Sequence, residues 1–450
     1  MKNPKASYLN SFRYSLLTNW SVRYLLETSF GFNDKYELAP IGKFLIRNKE
    51  LVEIEDNKEY KRVTIKINNN GVVQRDIEKG ENIGTKRQYI VRPGQFIMSK
   101  IDARNGAFGL VPPELDGAIV TNDFPSFNVD KERINTQFLV LITTTKAFVT
   151  FAQSCSSGTT NRQRIDIDLF LQQKIPLPEL EIQKKIVQAY TDNIRQARQL
   201  ENESTSKEEE IKSFLMKELD ISDTPIAKKA TSIRFVKYSE LERWDAKENF
   251  QFISKYPIKK LQDLIVSIST GTTPPTSRKE YFENGDVNFY TPADLTDKMY
   301  LTESDRKVSK IAVDDRKVRI FEKDTLLFVG IGSTIGKVAI IKNDFASSNQ
   351  QITGLRFNET AVNIDFAYYY FHYFQQLTTN ERTRATIPIV NQNKILNIPF
   401  PLPPLHQQNR IAERVSNMRK SINQLKEKAK EKQQEASLKF EREIFNYEVD

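Results

Sequence analysis

Two long stretches of the chain carry a heptad pattern of apolar positions and predict long helices. Residues 182–219 and 405–450 contain neither proline nor glycine, and their apolar positions are flanked by Glu, Lys, Arg and Gln. This pattern is typical of helices that pack lengthwise against a partner. A helix of about 38 residues is about 57 Å long, so it cannot bury its apolar stripe within itself.

The apolar positions of each stretch form two neighbouring lines. They are Ile186, Leu200 and Phe214 with Tyr190, Ala197 and Ile211 in the first stretch, and Ile411, Met418 and Leu425 with Val415, Ile422, Ala429 and Ala436 in the second. Lys207 and Lys432 interrupt the pattern at the same frame position. We predict that the two helices pair with each other. The alternative is that each helix packs across its own globular domain, although helices in ordinary domains average about three turns.

The same proline-bearing motif precedes both helices, so the chain is an internal repeat. The motif reads Pro-Leu-Pro-Glu-Leu-Glu-Ile-Gln at 176–183 and Pro-Leu-Pro-Pro-Leu-His-Gln-Gln at 401–408. Proline restricts φ and removes an amide donor, so each helix is expected to begin after the prolines. Upstream of each motif lies a unit of comparable size, beginning near Trp20 in one copy and Trp244 in the other.

Both upstream units show short β-type runs separated by turns, and each has one further helix candidate. Strands are predicted at Gln95–Met98, Val63–Ile67, Gly117–Thr121, Phe124–Val129, Thr325–Val329, Val338–Ile341 and Gln351–Phe357, and helices at Thr136–Gln153 and Ile364–Gln376. The predicted fold class is mixed α/β (α+β), with two globular domains joined by two long antiparallel coiled-coil helices in a pseudo-twofold repeat. The expected boundaries are 1–175 and 236–400 for the globular domains, 176–235 for the first proline boundary, helix and linker, and 401–450 for the second boundary and helix.

Composition favours a globular protein with a basic surface. The chain is 39% hydrophobic and 28% charged, with a formal net charge of +9. Such an excess favours a polyanion such as DNA, although it also fits an ordinary solvated surface. The single cysteine, the absence of an apolar N-terminal stretch and the lack of any window near eighteen apolar residues predict a cytoplasmic protein without membrane contact.

No familiar catalytic motif stands out. Two histidines and one cysteine cannot build a common zinc site, and Cys155 is expected to be a buried or incidental thiol, although counting does not exclude a Cys–His pair. The segment from Gly330 to Lys337 has three residues between Gly332 and Gly336, where a P-loop has four. We interpret it as a tight turn between two strands that could bring Lys337 beside a phosphate.

The repeated motif Pro-Leu-Pro-x-Leu-x-x-Gln resembles the boundary motif of type I restriction specificity subunits. Residues 105–118 and 324–356, which include Asn105-Gly106-Ala107-Phe108-Gly109 and Ser348-Asn349-Gln350-Gln351, look like two classes of the target-recognition domains of that family. The resemblance implies that each domain reads one half of a bipartite, asymmetric site in double-stranded DNA. It also implies that the paired helices set the gap and dock two methyltransferase subunits, and that motor-nuclease subunits join for restriction.

The resemblance further implies that chemistry belongs to those partners, with no catalytic residue, metal or cofactor in this chain. S-adenosylmethionine, ATP and Mg²⁺ are expected in the partner subunits. Flipping an adenine out of the stack costs a few kcal/mol, and a separate reading subunit can supply the positioning.

Apart from Ser277, the candidate DNA-binding residues are basic or amide side chains in turn-rich segments, since Arg reads guanine, Asn and Gln read adenine, and Lys contacts phosphates. They are Lys86, Arg87, Lys100, Arg104, Asn105, Arg162 and Arg164 in the first domain, and Ser277, Arg278, Lys279, Lys337, Gln350, Arg382 and Arg384 in the second. Any one of them could instead be an exposed charge without a partner. Two other functions stay open: a coiled-coil adaptor that binds proteins, and a concealed enzyme such as a fused nuclease.

Overall fold

The computed structural model describes residues 32–445 except 69, 146–147, 150–155, 158–163, 222–252 and 380–388. The described residues form two compact units. The first unit comprises the described residues up to Leu200 together with those from Lys428 onward, and the second unit comprises those from Glu201 to Glu427. Each unit contains a mixed α/β globe and parts of two long helices, so the predicted fold class is confirmed. Trp20 and Trp244 lie outside the described residues.

The globe of the first unit is built from short strands and two short helices. The strands are β1 (Leu38–Pro40), β2 (Leu45–Arg47), β3 (Leu51–Glu53), β4 (Glu59–Ile65), β5 (Val72–Lys79), β6 (Arg87–Ile90), β7 (Phe96–Met98), β8 (Phe108–Leu110), β9 (Ile119–Val120), β10 (Ser126–Val129), β11 (Ser156–Ser157), β12 (Arg164–Ile165) and β13 (Lys174–Pro176). The helices are α1 (Thr136–Thr144) and α2 (Ile167–Gln172), and the first long helix is α3 (Leu180–Leu219).

These strands form two larger sheets and two strand pairs. A four-stranded sheet has the order β2-β10-β7-β8, and a five-stranded sheet has the order β3-β6-β9-β4-β5. Phe96, Phe108 and Phe170 stack in the core, with ring centroids 6.1–6.3 Å apart. Because large aromatic rings dominate core burial, this cluster anchors α2 to the four-stranded sheet.

The globe of the second unit repeats this plan with different sheets. Its strands are β14 (Ile258–Lys260), β15 (Ile265–Thr270), β16 (Val287–Tyr290), β17 (Tyr300–Leu301), β18 (Lys307–Val308), β19 (Ile320–Glu322), β20 (Leu326–Val329), β21 (Val338–Ile341), β22 (Phe345–Ser348), β23 (Ile352–Phe357) and β24 (Pro399–Pro401). Its helices are α4 (Lys310–Asp314), α5 (Ile364–Tyr373), α6 (Gln375–Thr378), α7 (Gln392–Leu396) and the second long helix, α8 (Leu405–Ile444). The sheets have the orders β15-β23-β20-β21-β17 and β18-β16-β22-β19.

Both long helices begin after the prolines of their motifs, at Leu180 and Leu405, as predicted. Each contains 40 residues. In the second unit Arg410 lies 3.1 Å from Glu218 and Lys426 lies 3.6 Å from Glu208. The residue number of the α3 partner therefore decreases as that of the α8 partner increases, so the two helices are antiparallel in that unit. In the first unit the rings of Tyr190 and Phe440 lie 6.3 Å apart.

The predicted heptad seam is present, but one of its two lines is buried more deeply than the other. Ala197, Ile211, Val415, Ile422, Ala429 and Ala436 are each at most 2% exposed. On the other line Ile186, Phe214 and Met418 are only partly buried against the core clusters. Two residues depart from this division: Tyr190 of the deeper line is only partly buried, and Ile411 of the other line is 1% exposed. Small alanine side chains on the buried line allow a close approach of the helices.

One glutamine in each copy of the motif joins its globe to its helix. Gln183 accepts a hydrogen bond from the Asn135 amide (2.7 Å) and donates to the carbonyls of Arg133 (3.1 Å) and Pro178 (2.7 Å). Gln183 is fully buried. The bonds use both ends of the amide and satisfy backbone groups near the start of α1, where helices have unpaired N–H groups.

The second copy repeats this arrangement. Gln408 accepts from the Asn363 amide (2.9 Å) and donates to the carbonyls of Ala361 (2.8 Å) and Pro403 (2.8 Å). Gln408 is also fully buried. The glutamine at the end of the sequence motif therefore has the same structural role in both units.

Two predicted helices differ from those observed. The helix expected over Thr136–Gln153 is interrupted after Thr144, where three successive threonine hydroxyls donate to carbonyls three residues earlier. Such side-chain bonds compete with regular helix geometry. The helix expected over Ile364–Gln376 is divided at Phe374 into α5 and α6. No helix in the described part of the chain is long and apolar enough to cross a membrane.

The glycine-rich segment is the loop of a hairpin. β20 and β21 pair antiparallel on either side of it. Gly332 and Gly336 have φ values of 111° and 88°, a region that favours glycine. The interpretation as a turn between two strands is therefore confirmed.

Candidate nucleic-acid interface

A cluster of three cations forms on the first unit where three separate segments meet. Arg47 ends β2, Lys100 follows β7, and Arg164 begins β12. The Lys100 amide donates to the Asp123 carbonyl (2.8 Å), and the Ile165 amide donates to the Lys100 carbonyl (2.9 Å). We call Arg47, Lys100 and Arg164 the first-unit basic cluster.

The electrostatics of the first-unit basic cluster suit an anion. Burial lowers the pKa of the Lys100 ammonium, and the charges of Arg47 and Arg164 lower it further, while the Asp123 carboxylate opposes this fall. Asp123 pairs with Arg164 through two contacts of 3.1 Å, and Asn122 accepts from Arg47 at 3.1 Å. Cations that repel one another while held in place gain stability when a phosphate neutralises them.

Arg104 and Asn105 lie on the loop that continues from Lys100. They belong to a single 3₁₀ turn, Ala103–Asn105, which Gly106 ends with φ 76°. Arg104 is half-buried and Asn105 is exposed. The Asn105 carbonyl accepts from the Asn68 amide at 2.7 Å, so the tip of the β4–β5 hairpin lies against this turn.

Lys86 and Arg87 lie on a different sheet from the first-unit basic cluster. Arg87 is exposed at the start of β6, in the five-stranded sheet. The Lys86 ammonium donates to Asp56 (2.6 Å) and to the Gly80 carbonyl (2.6 Å). Lys86 therefore tethers two loops, and no hydrogen bond or ion pair seen in the described residues joins it to the cluster.

Among the predicted residues of the second unit that the structure describes, Lys337 and Gln350 lie on loops at one end of its five-stranded sheet. Lys279 begins a 3₁₀ turn, Lys279–Tyr281, whose Tyr281 packs in the core beside β16 and β18. Ser277, Arg278 and Lys279 are exposed, and Arg278 lies 3.8 Å from Glu280. Lys337 is exposed at the end of the hairpin loop. Arg162, Arg382, Arg384 and Cys155 lie outside the described residues.

Gln350 lies in a polar groove, and it is the only lining residue that was predicted from the sequence as a DNA-binding residue. We call this the amide groove; its volume is about 340 Å³. It is lined by Thr270, Gly330, Ile331, Gln350, Gln351, Thr353, Ile389, Val390, Asn391, Gln392 and Asn393. The amide runs 349–351 and 391–393 were visible in the sequence. Only the fold brings them together, because they come from separate loops.

A polar junction joins α5 to both long helices of the second unit. The Tyr373 hydroxyl donates to Glu208 (2.7 Å), and Arg419 donates to the Tyr373 hydroxyl (3.4 Å) and the Asp297 carbonyl (3.0 Å). Burial lowers the pKa of the adjacent His372 to about 4, and the Arg419 charge contributes. Among the described residues, no group of three or more His, Cys, Asp or Glu side chains could hold a metal ion.

Comparison with known protein families decides the classification. The family model for the type I restriction modification DNA specificity domain matches the chain twice, over residues 35–211 and 253–434. The chain belongs to this family. The two matches each span one globe and most of a long helix, which confirms the internal repeat and the resemblance drawn from the proline motifs.

A curated member of this family, the type I restriction enzyme MjaIX specificity subunit of Methanocaldococcus jannaschii, is 29% identical over 220 residues. That match covers 46% of this chain and 48% of the relative, so the chain spans about half the length of this curated relative.

One solved structure shares the fold, and a second is reported with it. A chain from a structure on the assembly and conformational transition of the type I R-M system has a TM-score of 0.57 and 18% identity, covering 92% of this chain and 98% of that one. The HsdS subunit from Thermoanaerobacter tengcongensis has a TM-score of 0.42 and 16% identity, with 92% and 97% covered.

Proposed function

We propose that this specificity-family chain reads a bipartite, asymmetric sequence in double-stranded DNA, with one half-site read by each globe. The observation that carries the proposal is the doubled family match together with a different polar surface on each globe. One surface is the first-unit basic cluster, and the other is the amide groove. We assign 1–175 and 236–400 to the two target-recognition domains, and 176–235 and 401–450 to the segments with the long helices.

The long helices are proposed to dock two methyltransferase subunits and to set the gap between half-sites. In the second unit a groove of about 860 Å³ runs between α3 and α8. Phe214 and Met418 supply apolar surface there, while Lys207, Glu218 and Arg414 supply charges of both signs. Interfaces of this kind combine an apolar centre with a polar rim. Motor-nuclease subunits complete the proposed restriction complex.

The chain itself is proposed to be non-catalytic and to work in the cytoplasm, where the DNA is. S-adenosylmethionine, ATP and Mg²⁺ are assigned to the partner subunits. Family membership argues against the adaptor alternative, which also leaves the first-unit basic cluster and the amide groove without a role.

A methylome tests the proposal. The chain is expressed with its cognate methyltransferase in a host that lacks adenine methylation, and N6-methyladenine is mapped by single-molecule sequencing. We expect a split motif with one modified adenine in each strand. If the two proteins are soluble and associated but the genome stays unmethylated, the chain is an adaptor or belongs to an inactive system. A continuous motif contradicts the two-globe arrangement.

A further inference from the structure

The amide groove has a rigid floor made of backbone. The Gly330 amide donates to the Gln351 carbonyl (2.8 Å), and the Val390 amide donates to the Gly330 carbonyl (2.8 Å). A Cβ atom at Gly330 would lie 2.8 Å from the Val390 carbonyl oxygen, so only glycine fits this approach. The side chains that line the groove are therefore presented from a fixed frame.

Threonines orient two of the amide side chains. Thr273 donates to Oε1 of Gln350 (2.6 Å), and Nε2 of Gln392 donates to Thr270 (2.8 Å). Thr270 in turn lies 3.0 Å from the Thr353 hydroxyl. Each bond uses one lone pair or one N–H of the amide, so each amide keeps a donor and an acceptor for a ligand. Gln350 is exposed, which places it at the rim.

The chemistry of the groove matches an A·T base pair. An amide offers one donor and one acceptor, the complement of adenine N7 and N6 in the major groove, while guanine is read chiefly by Arg or Lys. None of the described residues lining the groove carries a charge. Ile331 and Ile389 form a β-bridge on its wall, and Ile389 is 36% exposed. Apolar side chains of this kind contact the thymine methyl group.

Basic residues follow groove residues along the chain and could supply contacts of a different kind. Lys337 ends the hairpin loop that starts at Gly330, and Arg278 and Lys279 follow the segment that carries Thr273. Lysine and arginine beside a neutral centre suit phosphates on either side of base edges, because phosphate contacts position a protein while base contacts specify sequence.

We propose that the amide groove reads A·T pairs within the half-site of the second unit. Gln350 and Asn393 take the adenine edge, and Ile331 and Ile389 take the thymine methyl group. This inference rests on the proposed function, namely DNA reading, and adds the class of base pair and the residues that select it.

The test maps methylation by Gln350→Ala and Asn393→Ala variants in complex with the methyltransferase. Both residues are exposed, so the fold is expected to survive. Preference for A·T is expected to fall roughly tenfold at one or two positions of a single half-site. The other half-site stays unchanged and serves as the internal reference. Gln262→Ala, an exposed glutamine outside the groove, is the matched control and leaves the motif unaltered.

A Gln350→Glu variant gives a readout that a structural role would not produce. A carboxylate accepts but does not donate, so preference at the affected position is expected to move from adenine toward cytosine, whose N4 donates. The inference is overturned if a variant loses base preference at a G·C position, or if the methylated motif is unchanged in all three groove variants. In either case a split motif for the wild-type complex still supports the proposed function. A wild-type complex that methylates nothing overturns both.

Discussion

At the scale of single residues, a buried glutamine with the same hydrogen bonds in both copies explains why the proline motif ends in glutamine. Gln183 and Gln408 each bind three backbone groups from a buried position. A buried backbone group that loses its partner costs about 1–3 kcal/mol. The glutamine therefore stabilises the junction where the globe, the proline stretch and the helix meet.

Replacing Gln408 by methionine keeps the length of the side chain and removes its hydrogen bonds. We expect the Gln408→Met variant to lose about 2–4 kcal/mol of unfolding free energy, because the Asn363 amide and two carbonyls lose their partner. Urea denaturation followed by circular dichroism measures the loss. Gln424→Met, at an exposed position of the same helix, is expected to stay within about 0.5 kcal/mol of the wild type. Equal stabilities of the two variants would contradict this role.

At the scale of elements, the junction of α5 with the long helices contains a buried histidine, His372, beside charged side chains. His372 stacks on Tyr368 with ring centroids 5.4 Å apart. Four charged groups bear on His372: Arg419 and Lys426 lower its pKa, and Glu208 and Asp297 raise it, while burial is the largest cause of the net fall to about 4. The imidazole is therefore neutral at pH 7 in the folded protein.

The low pKa of His372 predicts a loss of stability in acid. In the unfolded chain the imidazole takes up a proton near its ordinary pKa of 6.5, but in the folded protein only near 4. The unfolded state thus binds more protons between these values, so stability falls as the pH drops from 6.5 to 4. His372→Phe keeps the ring and removes this contribution. Its urea midpoint is expected to fall less steeply with acid than that of the wild type.

The matched control for this pH experiment is His406→Phe, since His406 is exposed. It serves as the reference for replacing a histidine by phenylalanine elsewhere in the chain. If the urea midpoints of the His372→Phe variant and the wild type change with pH in the same way, the imidazole does not make stability depend on pH.

At the scale of the whole molecule, one frame is used twice with different surfaces. The helices, the proline motif and the buried glutamine repeat closely, whereas the sheets of the two globes have different strand orders. The first unit presents clustered cations, and the second presents uncharged amides. A repeated scaffold with unlike surfaces suits two half-sites of unlike sequence.

Independent surfaces predict separable effects of substitutions in the two units. Arg104→Ala is expected to alter the bases accepted in one half-site. Lys337→Ala is expected to preserve the motif, weaken binding to all sequences, and reduce the salt slope of log K by about 1, as for one lost phosphate contact. The double variant should show the sum of both effects, because the residues lie in different units. Each effect is measured by fluorescence anisotropy with two kinds of DNA duplex, one that carries the complete motif and one in which a single half-site is mutated. Strong non-additivity, or an unchanged motif with Arg104→Ala, contradicts the assignment.

The sequence by itself determined the periodic and repeated features of this protein. Heptad spacing and the absence of helix breakers predicted both long helices, and the doubled proline motif predicted the repeat and the family. These signals are local, because the 3.6-residue period and the restriction of φ by proline act along the chain. The hairpin around Gly332 and Gly336 was predicted on the same basis.

Only the tertiary structure decided which polar side chains share a surface. Arg47 joined Lys100 and Arg164 because β2 and β7 lie in one sheet and Ile165 of β12 donates to the Lys100 carbonyl. Lys86 was instead bound by Asp56 beside the five-stranded sheet. The amide groove arose from loops far apart in sequence, between Thr270 and Asn393. Contacts between distant segments depend on strand order and loop path, which no local pattern encodes. The frame could therefore be predicted from the sequence, while the surfaces could not.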